Sequence, residues 1–210
     1  MVTKVLFELD EERAVRPTLG LVVLQADETI EDEFRAYLQG CDVVLHHTRV
    51  PSGEEVTHES LSAMEHQLEA AIRLFPTNTV FDVIGYACTS ASSVIGETKV
   101  SSLINRVYPE AVTTNPATAI KAAMASLGVA HPALLAPYTP ELASGIASML
   151  EAGGFQVSAL LTFDEEVEEK VARISPNSIL DGVISVGRDQ ACDGVFVSSC
   201  LFLSLYLRNW

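Results

Sequence analysis

Apolar runs and amphipathic segments alternate along most of the chain. The stretch 18–24 (TLGLVVL) is apolar throughout and rich in β-branched side chains, which predicts a strand buried on both faces. A second strand is predicted at 42–50 and a third at 80–88. Around these strands, apolar residues recur at helical spacing, which predicts helices at 27–38, 57–75 and within 97–108. Strands that alternate with helices in this way indicate a parallel α/β sheet.

The second half of the chain repeats this plan. A helix at 117–128 ends on Gly128, a residue type that commonly terminates helices. Further strands are predicted at 131–138, 155–163 and 193–200, and further helices at 139–154 and 164–174. With a seam near 113–119, we predict an N-terminal arm (1–16), a first α/β half (17–115), a second α/β half (116–200) and an atypical tail (201–210).

In two of the predicted helices, the residues of the first turn support a helix start at that position. Thr57 is a favourable N-cap for the helix at 57–75, and Ser60 stands where a capping box usually has an acid. The acidic run DEEVEE at the start of the helix at 164–174 is interpreted as a charge-rich turn that the helix dipole favours, without a role in chemistry.

The charge balance limits the class of partner. The chain has a formal net charge of −15, from 28 acidic and 13 basic residues, and no basic stripe. Such a chain repels phosphate backbones, so we expect no nucleic-acid partner. The N-terminus lacks the apolar stretch of a secretory signal, and the last apolar run is too short to span a membrane. We therefore expect a cytoplasmic protein that binds no membrane.

The cysteines are the first candidates for chemistry. Cys41, Cys88, Cys192 and Cys200 form no CxxC motif, which favours free thiols over a disulfide framework. Two of them end predicted strands, since DVIGYAC runs to Cys88 and DGVFVSSC runs to Cys200. Ligands bind outside the carboxyl ends of strands in open α/β sheets. If a pseudo-twofold relates the halves, these two thiols face each other across a cleft, and the other two are structural.

The run TSASS adds hydroxyls and backbone donors directly after Cys88. A loop or helix start there would favour the thiolate, and its donors would hold a substrate carboxylate or an enolate. Two opposed thiols allow proton removal and return on opposite faces of a carbon, which is racemisation. They also allow addition to a carbon–carbon double bond, rotation and elimination, which is geometric isomerisation. The alternative is that Cys88 is a small buried hydrophobe without chemistry.

Several segments in order resemble one known family. DVIGYACTSASSVIGETKV, VTTNPATAIKAAMASLGV and ALLAPYTPEL are similar to the Asp/Glu racemase superfamily, and within it to maleate cis–trans isomerases and arylmalonate decarboxylases. LGLVVLQADETIEDEF and RVPSGEEVTHESLSAME match the family's opening strand and first long helix. The resemblance covers about residues 18–200 and is strongest to members from ectoine-degradation gene clusters. It implies two Rossmann-like parallel-sheet halves related by a pseudo-twofold, with the active-site cleft between them.

The resemblance also implies roles for particular residues. Cys88 and Cys200 correspond to two catalytic cysteines, whereas arylmalonate decarboxylases have glycine at the first position. The residues implied to contact substrate are Thr89 and Ser90 in an enolate pocket, Tyr138 as a donor to a carboxylate, and Asn115 in the cleft lining. With both cysteines present, an isomerase or racemase is favoured over a decarboxylase.

Two features depart from the family pattern. Maleate isomerases have a carboxylate-binding asparagine where this chain has Asp27. An anion there would repel a dicarboxylate and suit a substrate with an ammonium group, unless Asp27 only caps the helix that follows. After Cys200 the family continues with a polar turn and further elements, whereas LFLSLYLRNW follows here. We interpret this end as truncated.

The sequence therefore predicts a cofactor-independent isomerase or racemase that acts on a small carboxylic acid through two cysteines. Two alternatives stay open: a decarboxylase that uses Cys200 alone as proton donor, and a ligand-binding relic without chemistry. Apolar surface left by the altered end would favour self-association into a homo-oligomer. No residue spacing matches a zinc site, and no GxGxxG or Walker sequence is present, so we expect neither a metal nor another cofactor.

Overall fold

The computed structural model describes residues 2–9, 16–188 and 192–198. The strands in these ranges are β1 Thr18–Leu24, β2 Val44–Val50, β3 Val83–Tyr86, β4 Val112–Thr114, β5 Pro132–Ala136, β6 Ala159–Thr162 and β7 Gly194–Val197. The helices are α1 Ile30–Tyr37, α2 His58–Ile72, α3 Thr89–Ile95, α4 Glu97–Asn105, α5 Pro116–Leu127, α6 Pro140–Ala152, α7 Glu168–Val171 and α8 Pro176–Arg188. No helix in this described part of the chain is long and apolar enough to cross a bilayer.

The strands form two parallel sheets, which confirms the predicted fold class. One sheet has the order β2-β1-β3-β4 and the other the order β6-β5-β7. Every pair of neighbouring strands in both sheets is parallel. In each sheet the first strand of its half pairs with the second on one side and the third on the other. This common order is what two related halves would produce, although the pseudo-twofold itself stays a prediction, as do the predicted domain limits.

The aspartates that open the two similar segments DVIGYAC and DGVFVSSC have a structural role. The Asp82 carboxylate accepts a hydrogen bond from the Thr18 backbone N–H at 2.7 Å, and its own N–H donates to the Thr18 carbonyl at 2.9 Å. Asp193 does the same at the start of β5, where it accepts from the backbone N–H groups of Ala130 and His131, each at 2.8 Å. Each aspartate therefore ties the third strand of its sheet to the central strand.

A short antiparallel contact joins the two halves beside the carboxyl ends of their strands. Glu55, after β2, pairs with Val167, after β6. The Val56 N–H donates to the Glu166 carbonyl at 2.7 Å, and the Glu168 N–H donates to the Glu54 carbonyl at 3.0 Å. We call this contact the inter-half bridge. Its two segments follow β2 and β6 and exchange two backbone hydrogen bonds.

One hydrophobic core extends through both halves. A single cluster of buried side chains includes Val22 and Ile84 from the first sheet and Leu134 from the second, together with Ile146 on α6. Helix α3 packs against α2 and α4 of the first half and against α5 and α6. The helix that follows Cys88 is thus held at the junction of the halves.

Four elements differ from the sequence-based prediction. The run TSASS, interpreted mainly as a loop, is the first part of helix α3, and β4 occupies the predicted seam. Helix α8 was not predicted, because its proline and two glycines weaken the helical signal in PNSILDGVISVGR. The helix predicted at 164–174 is only the single turn α7.

The predicted ends of two helices are confirmed. Thr57 Oγ1 accepts from the Ser60 N–H at 3.2 Å, and Ser60 Oγ accepts from the Thr57 N–H at 3.0 Å, which forms a capping box. Helix α5 ends at Leu127, and Gly128 has the left-handed φ of 72° that its C-cap role requires.

We predict that Thr57→Ala lowers the free energy of unfolding by about 1 kcal/mol, because the Ser60 N–H loses its side-chain acceptor. Urea unfolding followed by circular dichroism measures the change. Thr57→Ser, which keeps the hydroxyl, is the matched control and should lose less. Equal losses in both variants would show that the threonine methyl group, and not the cap, stabilises this end of α2.

Candidate active site

Cys88 lies at the junction between β3 and α3 and is fully buried. It is the N-cap residue of α3, and its Sγ accepts a hydrogen bond from the Ala91 N–H at 3.4 Å. Ser90 Oγ lies 3.5 Å from the same sulfur. Either the Ser90 hydroxyl or the Cys88 thiol can be the donor between these two atoms. The thiolate is the reactive form of cysteine, so a thiol placed among such groups is a candidate for chemistry.

The hydroxyls that follow Cys88 divide into two kinds. Ser92 Oγ donates to the Cys88 carbonyl and Ser93 Oγ donates to the Ser90 carbonyl, at 2.5 and 2.7 Å, so both satisfy the backbone of their own short helix. Thr89 and Ser90 are buried beside the thiol. Ser90 also lines a small pocket, which is described below. The hydroxyls of Ser92 and Ser93 therefore stabilise α3, whereas the hydroxyl of Ser90 lies at the candidate site.

A small pocket next to Ser90 brings residues from both halves together. Ser90 from the first half and Tyr138 from the second half both line it. Cys88, Thr89 and Asp27 are not among its lining residues, and the contact of each predicted site residue with a substrate stays a prediction. Tyr138 is almost fully buried, at 2% exposure, and follows β5 in the same way that the loop with Asp27 follows β1. The remaining polar side chains around this pocket are Ser52, Glu55, Ser60 and Glu168.

Asp27 caps α1 with one of its two carboxylate oxygens. Its Oδ1 accepts from the backbone N–H groups of Thr29 at 2.8 Å and Ile30 at 2.9 Å. Its Oδ2 is buried and accepts no hydrogen bond in the described part of the chain. Burial raises the pKa of the Asp27 carboxyl, even though the two backbone bonds and the charge of Arg49 oppose the shift. The cap predicted as an alternative is thus present, but it occupies only half of the carboxylate.

Glu168 is a site residue that the sequence-based interpretation missed. It is the first residue of α7, only 8% of it is exposed, and its side chain lines the pocket with Ser90 and Tyr138. Burial, and then the nearby charge of Asp27, raise the pKa of the Glu168 carboxyl to about 7. The acidic run at 164–169 was interpreted as a charge-rich turn without chemistry, and for Glu168 the buried position contradicts a simple solvated role.

Asn115 caps a helix, and the described pockets do not include it. Its Oδ1 accepts from the Thr118 N–H at 3.1 Å, and Pro116 follows at the first position of α5. The side chain is 3% exposed. This bond accounts for an asparagine at this position, so a contact between Asn115 and substrate stays a prediction.

Cys200 lies outside the described residues, as does the tail 201–210, so the predicted pairing of two thiols stays a prediction. The other two cysteines, Cys41 and Cys192, are free, and Cys41 is exposed. Within the described ranges, no group of three or more His, Cys, Asp or Glu side chains is arranged to hold a metal ion.

Comparison with known proteins gives relatives of one kind. A maleate isomerase of Nocardia farcinica (strain IFM 10152) is 28% identical over 193 residues, which covers 87% of this chain and 76% of that protein. A maleate isomerase of Geobacillus stearothermophilus is 25% identical over 197 residues, with 87% and 77% covered. No family model matches the chain.

Solved structures show the same likeness. A Nocardia farcinica maleate cis–trans isomerase, a cysteine-to-serine mutant with a covalently bound succinylcysteine intermediate, superposes with a TM-score of 0.81 at 26% identity, covering 91% of this chain and 81% of that one. A mutant of arylmalonate decarboxylase in a liganded form superposes with a TM-score of 0.75 at 21% identity over 91% and 84% of the two chains, which shows a shared fold alone. The predicted resemblance to this branch of the Asp/Glu racemase superfamily is confirmed.

We predict that the stability difference between wild type and Glu168→Gln depends on pH. The folded protein holds the Glu168 proton up to about pH 7, whereas the unfolded chain releases it near pH 4.5. Wild type should therefore lose stability relative to the glutamine variant as pH rises from about 4.5 to about 7, and the difference should be constant above that range. Melting temperatures across this range measure the effect.

Glu169→Gln is the matched control, because Glu169 is the next residue and is 74% exposed in an ion pair with Arg173. The stability of the Glu169 variant should differ only slightly from that of wild type. This difference should not show the pH-dependent change that is predicted for Glu168→Gln. A pH-independent difference for Glu168→Gln would contradict the raised pKa.

Proposed function

We propose that this protein is a cofactor-independent isomerase or racemase of a small carboxylic acid, in which Cys88 is the reacting thiol. The observation that carries the proposal is the placement of Cys88. It is buried at the carboxyl end of β3 and accepts a bond from the Ala91 N–H. Its sulfur lies 3.5 Å from the Oγ of Ser90, which lines a small pocket together with Tyr138. The bond from Ala91 also caps α3, so the closeness of the sulfur to Ser90 at the pocket is the part of this placement that supports a reacting thiol.

The likeness to maleate isomerases supports the reaction class. In the Nocardia farcinica mutant, a cysteine carries a covalent succinyl group. On this chain the equivalent step would begin with attack of the Cys88 thiolate on one alkene carbon. The carbon–sulfur bond forms as the π bond breaks, and the electron pair passes to the carbon next to a carboxylate. Rotation about the resulting single bond and expulsion of the thiolate give the other geometric isomer.

The racemase version of the proposal uses the same groups on a saturated substrate. The Cys88 thiolate removes the proton next to the carboxylate, and the resulting enolate receives a proton on its opposite face. Both versions place negative charge on the substrate carboxylate, and both gain from donors that hold this charge in a buried site. Thr89, Ser90 and Tyr138 are the residues that we propose for this role, with Cys200 as the proposed opposite acid.

The predicted alternatives have less support. The solved arylmalonate decarboxylase structures are 16–21% identical to this chain, which establishes fold and not chemistry. The likeness to maleate isomerases favours an enzyme over a ligand-binding relic. The substrate class proposed here, a small carboxylate, is supported by the likeness to maleate isomerases.

We predict that Cys88→Ser lowers turnover by a factor on the order of 10²–10⁴, because a serine hydroxyl is a far weaker nucleophile and base at neutral pH. Proton NMR follows conversion of maleate to fumarate, and deuterium uptake next to the carboxylate follows racemisation of amino acids. Both assays include a metal chelator. Cys41→Ser, at an exposed cysteine, is the control and should be unchanged. Full turnover by Cys88→Ser would refute the role of this thiol.

We predict that Tyr138→Phe lowers kcat/KM by roughly 10- to 100-fold, the usual effect of losing one buried hydrogen bond to a charged group. The fold should persist, since the ring stays in the core. Tyr37→Phe is the control, because Tyr37 is 47% exposed on α1. Equal activity of Tyr138→Phe and wild type would exclude the phenol from substrate binding.

A further inference from the structure

We propose that residues 2–9, the apolar arm, add a strand to the outer edge of β7 in a second copy of this chain. The arm lies in a groove between α5 and β7, the α5–β7 groove, and reciprocal exchange of arms closes a dimer. The residues that line this groove do not include Cys88, Ser90 or Tyr138. The contact is therefore independent of the reaction proposed for Cys88.

The first observation is the exposure of the apolar arm, whose sequence is VTKVLFEL. Its five large apolar side chains have exposed fractions between 75% and 103%; they are Val2, Val5, Leu6, Phe7 and Leu9. Single exposed apolar side chains are ordinary at a protein surface, but five within eight residues form a continuous apolar segment. In the described part of the chain no surface covers this segment.

The side chains of the arm alternate as they do in a half-buried strand. In an extended segment, successive side chains point to opposite faces. One face of the arm is apolar and includes Val5, Phe7 and Leu9. The other face carries both charged side chains and includes Lys4, Leu6 and Glu8. This alternation predicts a strand that buries one face and keeps the other in water.

The second observation is the open edge of β7. Strand β7 is the last in the order β6-β5-β7, so within the described ranges its outer edge pairs with no strand. The first sheet has a strand at the corresponding place, because β4 pairs with the outer edge of β3. An open edge offers backbone N–H and carbonyl groups to a further strand, which is how many extended segments bind.

The α5–β7 groove supplies an apolar surface beside this edge. Its lining is mainly apolar and includes Ile120, Met124, Leu127, Val129, Val195 and Phe196. Leu127 is 79% exposed, and of the twelve residues of α5 only Ala117 and Met124 are buried. An arm that pairs with β7 would place every second side chain against this helix, as the apolar face of Val5, Phe7 and Leu9 requires.

The charges of the arm and of the groove are compatible with contact between two copies. The chain has a net charge of −15, so most of the surface of one copy repels that of another. In the arm, however, the charges of Lys4 and Glu8 cancel. Asp193 is the one charged residue among those that line the groove, and Lys4 and the amino terminus are its complement.

The arm and the groove lie at opposite outer ends of one chain. The arm leads into the amino end of β1, where the Pro17 carbonyl accepts from the Val44 N–H at 2.9 Å. The groove lies at the amino ends of β5 and β7, where Pro132 and Gly194 line it. The carboxyl ends of the two sheets meet at the inter-half bridge. The amino ends of the two sheets therefore face away from each other.

The length of chain between the arm and the body also favours a second copy. Strands β1 and β5 have seven and five residues. Placed end to end they span about 40 Å, at about 3.3 Å per residue. The chain from Leu9 to Arg16 reaches at most about 25 Å. The groove that an arm can occupy is therefore that of another copy.

The test begins with analytical ultracentrifugation of the full chain over a dilution series. Leu9→Asp should raise the concentration at which half of the protein is dissociated by roughly tenfold or more, because it places a charge on the apolar face of the arm. Leu6→Asp is the matched control. It adds the same charge to the opposite face, at a side chain that is 93% exposed, against 75% for Leu9, and should have little effect. Equal effects of the two variants would overturn the proposed strand.

A second pair of variants tests the groove. Leu127→Asp should weaken association as Leu9→Asp does, whereas Leu74→Asp, outside the groove and 76% exposed, should not. Neither change should lower the melting temperature of the dissociated protein, since both side chains are exposed. A lower melting temperature for Leu127→Asp, with no effect of the arm variants, would show that another part of the same chain fills the groove and would overturn the proposal.

Mixing the variants separates exchange of arms from other modes of association. The Leu9→Asp variant keeps an intact groove and the Leu127→Asp variant keeps an intact arm, so the mixture should associate more strongly than either variant alone. A mixture that behaves like the separate variants would refute the exchange. Self-association of Leu127→Asp at the strength of the parent would show that arms pair with each other, and a parent that stays monomeric at all concentrations would refute any contact between copies.

Discussion

The inter-half bridge is the contact on which the arrangement of the candidate site depends. Two backbone hydrogen bonds between 54–56 and 166–168 hold the loop after β2 against the loop after β6. Backbone pairing fixes both the separation and the register of the two segments, as it does between strands of a sheet. A slip of one residue would turn Glu168 away from the pocket and bring a neighbouring side chain to its place. The position of one carboxylate is therefore set by the joining of the halves.

The fold could be predicted where local pattern and tertiary packing agree. The apolar run of β1, the capping box at Thr57 and the C-cap at Gly128 each depend on neighbouring residues, and each is present in the structure. Helices α3 and α8 could not be predicted in the same way. The first is short, rich in Ser and Thr and buried among four other helices, so it shows no apolar stripe. In the second, glycine and proline lower the local helical propensity, and the helix forms because packing outweighs this weak propensity.

The residues of the candidate site also differ in whether the sequence could predict them. Cys88 and the hydroxyl run with Ser90 could be named from the sequence because they follow a recognisable apolar strand, and ligands bind at the carboxyl ends of parallel strands. Tyr138 was indicated by the family resemblance alone. Glu168 could not be named, since four glutamates lie between 165 and 169 and nothing in their order distinguishes the buried one. Its burial comes from a bond to Glu54, more than a hundred residues earlier in the chain. Long-range contacts of this kind have no signature in a local pattern of charge.

The electrostatic state of Glu168 gives a physical reason to connect this residue with function. A buried carboxyl with a raised pKa destabilises the folded protein, once it is ionised, relative to an amide of the same shape. Glutamine would keep the packing without this cost. Destabilising groups of this kind occur mainly where a ligand reverses their cost, because a ligand that binds only the folded state stabilises it. The acid at position 168 is therefore better explained by the pocket that it lines than by what holds the fold together.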